Sequence, residues 1–589
     1  MSGSYWSSVL QTRLGRRRML ASTGGAAAGA LILAACGGGD DGKEQPGSSL
    51  LTKPVDTSNK AVPGSVWKSF VTADVTTLDP HANSSGGGFN QMSPSYDNLV
   101  RYDRGSGGND GQIIGDAAES WEFSPDGLTL TLKLRNNLKF DPRPPTSGRV
   151  MTSADVKFSF DRTLAKSPYA ADWINSKNAE APVTSVATPD DRTVSLKLKY
   201  PYLSMMQILA HNTYFYVLPQ EADGKFDPRS EVRGSGPFFL DKWTPSAGFE
   251  FKKNPEWIEK DKKRPFLDGI SQAIVSDYAA GLAQFETGNI WDFNVKPDDI
   301  LRTKTNHPQM VMRQSYVTGT GGRGHIIVLS QQPDSPMRDV RVRRAASMLI
   351  NRQAWIETMY GTEKFKTAGL PIDVRWNSHI PGYMPEWLNP QGKDLGEGAK
   401  YFQFDVAEAK KLLAAAGYTG KDKLSHFYST NAADYTPYNT VLNGMFAEGL
   451  TTDFRPLDYN TEWRQVCQQS LGTGYNGFCY LPVSGFNAEN YLQTKYTPEG
   501  KAAISGQPIS GLTDLVRKIK TETDANKQQE LIKQAQRDAA NQMPDIVLPG
   551  FSYGFQLSQP WLENYGVFSG SWLSARLYLD YWYNAERRS

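Results

Sequence analysis

Between Leu128 and Leu134 apolar and polar residues alternate strictly, and Thr193 to Leu198 repeats the pattern. A period of two sends successive side chains to opposite faces, so both segments are expected to be half-buried strands, the first entered through a Pro125-Asp126-Gly127 turn. Elsewhere the apolar period lengthens to that of a helix. Ser153 is expected to cap a helix that carries Val156, Phe160 and Leu164 on one face. Val406 to Ala416 predicts a second helix, closed by Gly417, and Leu531 to Ala540 a third, ending ahead of Pro544. Strands and helices alternate through most of the chain, which predicts α/β lobes.

The 589 residues are 39% apolar and 21% charged, enough for packed cores and too little charge for a disordered chain. Lys and Arg number 64 against 62 acids, a balance of +2 that gives no reason to expect nucleic acid as a partner. The excess is local. Arg13, Arg16, Arg17 and Arg18 precede an Ala-, Gly- and Leu-rich run ending in Leu33-Ala34-Ala35-Cys36. A twin-arginine head, an apolar stretch too short to span a bilayer and small residues before Cys36 predict a cleaved export signal over residues 1–35. The last four residues resemble a lipobox, which makes Cys36 the expected site of lipid attachment. Taking those four arginines from the 64 basic residues leaves 60 against 62 acids. From Cys36 to Gly64 the chain is Gly-, Ser-, Asp- and Lys-rich and is expected to be a flexible tether, with folded sequence starting at Ser65.

Without Cys36 two cysteines remain, Cys467 and Cys479. A helix through Glu462 to Ser470 followed by a strand near Phe478 could bring them together as a disulfide; two inert buried thiols are the alternative. The six histidines stand singly at 81, 211, 307, 325, 379 and 426, without metal-ligand spacing, so no metal and no cofactor is expected. Gly319 to Gly324 satisfies a dinucleotide-loop pattern, but His325-Ile326-Ile327-Val328-Leu329 after it reads as a strand where a helix is required. These glycines are expected to form a loop or hinge. Gly550-Phe551-Ser552-Tyr553-Gly554 has the form of a nucleophile elbow, yet the last histidine, His426, precedes it. The run Arg338, Arg341, Arg343, Arg344 is expected to be a solvated or ion-paired helix face.

Ala117-Ala118-Glu119-Ser120-Trp121-Glu122-Phe123-Ser124-Pro125-Asp126-Gly127-Leu128-Thr129, continuing through Thr152-Ser153-Ala154-Asp155-Val156-Lys157-Phe158, resembles the signature of the extracellular solute-binding proteins of oligopeptide and dipeptide ABC importers. Leu78-Asp79-Pro80-His81, Gly234-Ser235-Gly236-Pro237-Phe238, Arg338-Asp339-Val340-Arg341 and Ala409 to Tyr418 fit the same family in order. The resemblance implies a two-lobed flytrap fold with an extra subdomain at about residues 93–215. The N-terminal lobe would span 65–312, the second lobe 313–545, and residues 546–589 would return to the first. It implies a monomeric, non-enzymatic receptor that closes on a peptide-like or oligosaccharide-like solute. The receptor would deliver its solute to a membrane permease, held by its lipid at the outer face of the cytoplasmic membrane. Peptide binders of this family place an acid ahead of an Asp-Pro segment to pair with the ligand's ammonium. Here Asn487-Ala488 stands for Asp-Pro, and Ser484 occupies the acid's position. Tyr480, Ser484, Phe486 and Asn487 are therefore the candidate ligand contacts, suited to a ligand without a free amino terminus unless Glu489 compensates. The rival readings are an exported hydrolase using Ser552 or a carboxylate pair, and a sensor presenting solute to a signalling partner.

Overall fold

The computed structural model describes residues 50–83, 88, 91–106, 111–316, 323–421, 423–430, 435–500, 502–570 and 575–588. The export segment, Cys36 and most of the Gly319–Gly324 motif lie outside them. The two alternating segments form the strands Thr129–Leu134 and Thr193–Leu198, paired antiparallel with Leu130 opposite Leu196 and Leu132 opposite Val194. All four are buried, the inward half of the period-two pattern. Ala118–Phe123 and Val183–Asp190 flank them in a four-stranded sheet. The helix Ser153–Lys166 packs Val156 and Phe160 against that sheet's core. Its N-cap is Thr152, one residue before the expected Ser153. Asp155 reaches back to the Thr152 N–H at 2.9 Å, the reciprocal half of a capping box, while Ser153 Oγ donates to the Asp190 carbonyl at 2.6 Å.

A second sheet, in the order Val66–Val71, Gly269–Ile274, Gly248–Lys253, Phe238–Thr244, shares this core. The other lobe is built on a five-stranded sheet: Thr452–Leu457, Leu424–Ser429, Phe478–Ser484, Arg323–Leu329, Asp545–Val547. Both of its faces are covered. Ile327, Leu329, Phe478 and Tyr480 enter one apolar cluster, while their neighbours Ile326, Val328, Cys479 and Leu481 enter the cluster on the opposite face. Burial on both faces is why these strands read in the sequence as apolar runs without alternation. The helices Val340–Met348, Val406–Ala415 and Tyr435–Phe446 cover the first face; Ala488–Tyr496, Leu512–Thr521 and Ala525–Gln542 cover the second.

Ala525–Gln542 starts six residues before the expected Leu531, because Asp524 accepts from the Asn526 and Lys527 N–H groups and fixes the first turn there. At its other end the arginine run takes a role the sequence did not suggest. Arg344 donates to the Asn541 carbonyl at 2.7 Å, and Arg343 to those of Gln542 and Met543 at 2.8 and 3.0 Å. These carbonyls have no partner within the helix, and a guanidinium there suits the negative end of its dipole.

Two lengths of chain pass between the lobes side by side. Val311–Tyr316 runs antiparallel to Gly550–Ser558, from Val311 opposite Ser558 to Tyr316 opposite Tyr553, and a separate apolar cluster holding Phe285, Phe293, Met312 and Leu557 packs there. The expected tether also differs. Leu50 and Leu51 pack on this cluster, Thr52 N–H donates to the Met312 carbonyl at 2.8 Å, and Thr57 Oγ1 to Asn564 Oδ1 at 2.8 Å. A few apolar and backbone contacts are enough to lay residues 50–64 on the body, so the chain is already packed at Leu50, fifteen residues before Ser65.

Cys467, in the wide helix Tyr459–Gln469, and Cys479, in the strand Phe478–Ser484, are joined as a disulfide with Cα atoms 5.8 Å apart. Mass spectrometry of the unreduced protein is expected to find neither thiol alkylated. Reduction should lower unfolding free energy by about 3 kcal/mol, the loop-closure value for a ring of this length. Recovery of two alkylated thiols from native protein would refute the bridge.

Candidate functional site

Residues Gly485 to Tyr496 connect the second lobe's central strand to the seam between the lobes. Asn487 caps the helix Ala488–Tyr496, its Oδ1 accepting from the Asn490 N–H at 2.8 Å, and Glu489 sits in the first turn where the helix dipole favours an anion. All nine helical residues are buried. Tyr491 lies under two glycines. A Cβ on Gly324 would stand 2.1 Å from the Tyr491 hydroxyl, and one on Gly485 2.8 Å from its backbone nitrogen. Gly324, singled out for its motif, thus makes room for a tyrosine.

The first turn of this helix faces the N-terminal lobe. Asn487 Nδ2 donates to Ser204 Oγ at 2.9 Å and to Gln207 Oε1 at 2.6 Å. Ser204 Oγ and the Tyr202 hydroxyl donate to Glu489 Oε2 at 3.0 and 3.1 Å. Phe486 is buried in the N-terminal lobe's core, edge-on to Tyr214 at 5.7 Å between centroids. Gln493, with its amide oriented to satisfy both neighbours, donates to Glu489 Oε1 at 3.1 Å and accepts from Lys520 Nζ at 2.8 Å. Lys520 also donates to the Glu180 carbonyl at 3.1 Å. Burial pushes the Lys520 ammonium down, against the pull of Glu489 and other acids. Burial, and then the charge of Glu489, pushes the Tyr202 hydroxyl well above its usual range, so it stays a donor. A cavity of about 280 Å³ continues the seam, walled by Glu180 and Tyr200 on one side and Gln493, Arg517 and Lys520 on the other.

The last turn is held from inside the second lobe. Lys495 Nζ donates to Asp545 Oδ2 at 2.8 Å and to the His379 carbonyl at 2.8 Å, while Tyr496 donates to Asp545 Oδ1 at 2.5 Å and His379 Nδ1 lies 3.0 Å from the same oxygen. All four side chains are buried. Burial alone would raise the Asp545 carboxyl, but the Lys495 ammonium and the His379 bond outweigh it and hold it far below the usual carboxylate range.

Of the four candidate contacts, Phe486 and Asn487 meet the opposite lobe. Tyr480 instead lies inside the second lobe, its hydroxyl 2.5 Å from His325 Nδ1 and its ring stacked on that imidazole. Ser484 ends the strand Phe478–Ser484, opposite Arg323 in register. Its side chain lies outside the described residues. The partners Tyr202, Ser204, Gln207 and Lys520 were not marked by the sequence; the only signal was the concentration of hydroxyls in Tyr200-Pro201-Tyr202-Leu203-Ser204.

Residues 112–490 match the family described as bacterial extracellular solute-binding proteins, family 5. The chain belongs to this family. The match covers more than half of its residues. A di/tripeptide-binding protein of Pseudomonas aeruginosa is 25% identical over 502 residues, 79% of this chain and 85% of that one. A protein of Brucella ovis named as an ABC transporter peptide-binding protein is 29% identical over 342 residues. The chain spans little more than half of that relative's length, 56%. Among solved structures, the periplasmic binding protein DppA of Helicobacter pylori with peptide STSA superposes with a TM-score of 0.73 at 19% identity, covering 89% of this chain and 99% of that one. MoaA of A. tumefaciens R10 with mannopinic acid gives 0.70 at 25% identity, covering 89% and 100%.

In this family 5 protein the hydrolase reading through Ser552 fails on backbone geometry. An elbow needs a sharp strand-to-helix turn, and Ser552 lies within the nine-residue strand Gly550–Ser558, which continues beyond it. Among the described residues no three His, Cys, Asp or Glu side chains group as metal ligands.

Lys495→Met is expected to destabilise the protein by about 3 to 5 kcal/mol in denaturant unfolding, since it leaves the Asp545 carboxylate buried without its cation. Because the native Asp545 pKa is depressed, its stabilising contribution is complete above pH about 4 and shrinks as pH falls below that. The variant should show a flatter loss of stability on acidification than the parent.

Proposed function

We propose that this protein is the solute receptor of an ABC importer, capturing its ligand by lobe closure and presenting the closed form to a membrane permease. The observation that carries the proposal is the seam just described: Phe486, Asn487, Glu489 and Asn490, within the stretch that resembles the family's ligand-contact segment, meet the first lobe. A solute touching both sides of such a seam favours closure by its difference in affinity for the two states, and no bond is made or broken. The lobe limits that fit this reading are 65–312 and 313–545 with a return over 546–589, a subdomain at about 93–215 in the first lobe, and residues 50–64 added to the first. The export signal and Cys36 support a lipid-anchored location outside the cytoplasmic membrane, where the anchor keeps the receptor near its permease.

The ligand class follows from the acids. A free α-ammonium group enclosed between the lobes costs several kcal/mol unless a carboxylate faces it. Ser484 stands where the family's peptide binders carry that carboxylate. Glu489, the nearest alternative in sequence, is buried and accepts from Tyr202, Ser204 and Gln493. Both points favour neutral solutes such as oligosaccharides or amino-blocked peptides.

Thermal-shift screening tests this, because saturating ligand raises the unfolding temperature in proportion to RT ln(1 + [L]/Kd). Neutral oligosaccharides and N-acetylated peptides are expected to stabilise the protein more than the same peptides with free amino termini. Ser484→Asp is expected to invert that order, raising affinity for free peptides by about tenfold or more, the scale of one charge-assisted hydrogen bond. Stabilisation of the parent protein by free peptides alone would overturn the ligand class, and intact recovery of no ligand of any class would count against the receptor reading.

A further inference from the structure

Lobe closure in a receptor is ordinarily credited to the ligand, yet here the two lobes are bonded to each other directly. The Asn487–Glu489–Gln493–Lys520 row makes several direct side-chain bonds to the N-terminal lobe. Asn487 reaches Ser204 and Gln207, Glu489 receives Tyr202 and Ser204, and Lys520 reaches the Glu180 carbonyl. Separating the lobes would leave these groups to water, and rejoining them must again strip water from the Glu489 carboxylate. That cost is met only if the hydroxyls of Tyr202 and Ser204 return to the same oxygen. Ser204 is the pivot, since it accepts from Asn487 and donates to Glu489, so the two bonds form or break together.

From this geometry we infer that Glu489 is a positioning residue for the transport cycle. With Tyr202 and Ser204 it forms a clasp that holds the subdomain of the first lobe against the helix Ala488–Tyr496 independently of solute, and so sets the fraction of receptor already closed. The inference rests on the receptor reading only for its physiological use. The apparent affinity for a solute that binds the closed form equals its intrinsic affinity scaled by that fraction, so the clasp acts as a gain setting on capture. Phe486, seated in the N-terminal lobe's core, supplies the apolar half of the same contact. The clasp also engages the Glu489 carboxylate in the contact between the lobes, which joins closure to ligand selectivity through one residue.

Hydrogen exchange and small-angle scattering on the full-length protein, purified without added solute, test the clasp from both sides. Tyr202→Phe combined with Ser204→Ala removes both hydroxyl donors from the first lobe and leaves the second lobe's sequence intact; Glu489→Ala removes the acceptor from the second lobe. Each is expected to speed exchange by tenfold or more in both facing segments, 200–214 and 486–496, and to raise the radius of gyration. Combining all three substitutions should add little to either set alone, because one shared contact is being removed. Glu489→Gln, which keeps one acceptor oxygen, should lie between parent and Glu489→Ala. A purely internal role for Glu489 predicts faster exchange in 486–496 alone, with segment 200–214 and the radius of gyration unchanged, and that result would overturn the inference. If Glu489→Ala does not fold, the first-lobe double variant decides by the same two readouts. Since no solute enters the experiment, its failure leaves the receptor proposal standing, and a protein that binds no screened solute can still show the clasp.

Discussion

A helix whose nine residues are all buried is the piece on which both lobes depend. An amphipathic helix on a protein surface presents one apolar stripe and one wet face. Ala488–Tyr496 has no wet face, so each polar side chain on it must find a partner within the protein. The sequence Ala-Glu-Asn-Tyr-Leu-Gln-Thr-Lys-Tyr divides that burden by direction. Glu489, Asn490 and Gln493 address the N-terminal lobe and Lys520, while Lys495 and Tyr496 are tied to Asp545 and His379 in the second. The helix is therefore tied to one lobe by its C-terminal turn and to the other by its N-terminal turn.

The position of Asp545 gives this arrangement further reach. It begins the strand Asp545–Val547, from which the chain passes through Leu548 and Pro549 into Gly550–Ser558, one of the two strands that cross between the lobes. The ion pair thus fixes the seam helix to the root of a crossing strand. Breaking a buried pair leaves a bare charge, which is far costlier than losing a surface one, and that asymmetry makes the joint stiff. The crossing strands are joined along six registered residues and close their own small apolar cluster. Any rotation between the lobes would have to be absorbed at the ends of that pair, with the seam helix moving as part of the second lobe.

How much of this was legible depended on whether the physics was local. The half-exposed strands Thr129–Leu134 and Thr193–Leu198 announced themselves because water covers one face and enforces alternation. In the five-stranded sheet, covering both faces removes the polar half of the pattern, so the apolar runs at His325–Leu329 and near Phe478 could be read as strands but not as neighbours in one sheet. Helix starts were displaced where a neighbouring side chain competed for the cap, as Asp155 does in moving it to Thr152. The arginines at 343 and 344 looked like a charged face because their partners, the carbonyls of Asn541, Gln542 and Met543 at the end of Ala525–Gln542, lie about two hundred residues away and carry no sequence signature. At the candidate site the segment around Ser484 to Tyr491 could be located by its family pattern. What it faces could not, since Tyr202, Ser204 and Lys520 are ordinary residues until the fold brings them to Glu489.

The same residues explain why the missing acid at Ser484 and the buried acid at Glu489 are not interchangeable, although they are only five positions apart. A carboxylate can neutralise a ligand's ammonium only if its lone pairs are free to turn toward it. Glu489 Oε2 already accepts two hydroxyls and Oε1 the Gln493 amide, so a ligand ammonium would have to compete with these donors for the carboxylate. Binding and closure would then oppose each other, whereas a receptor gains affinity when they reinforce each other. On the receptor reading proposed above, the acid at the seam and the hydroxyl at Ser484 fit together: Glu489 serves the contact between the lobes, and Ser484 leaves the ligand segment without a carboxylate.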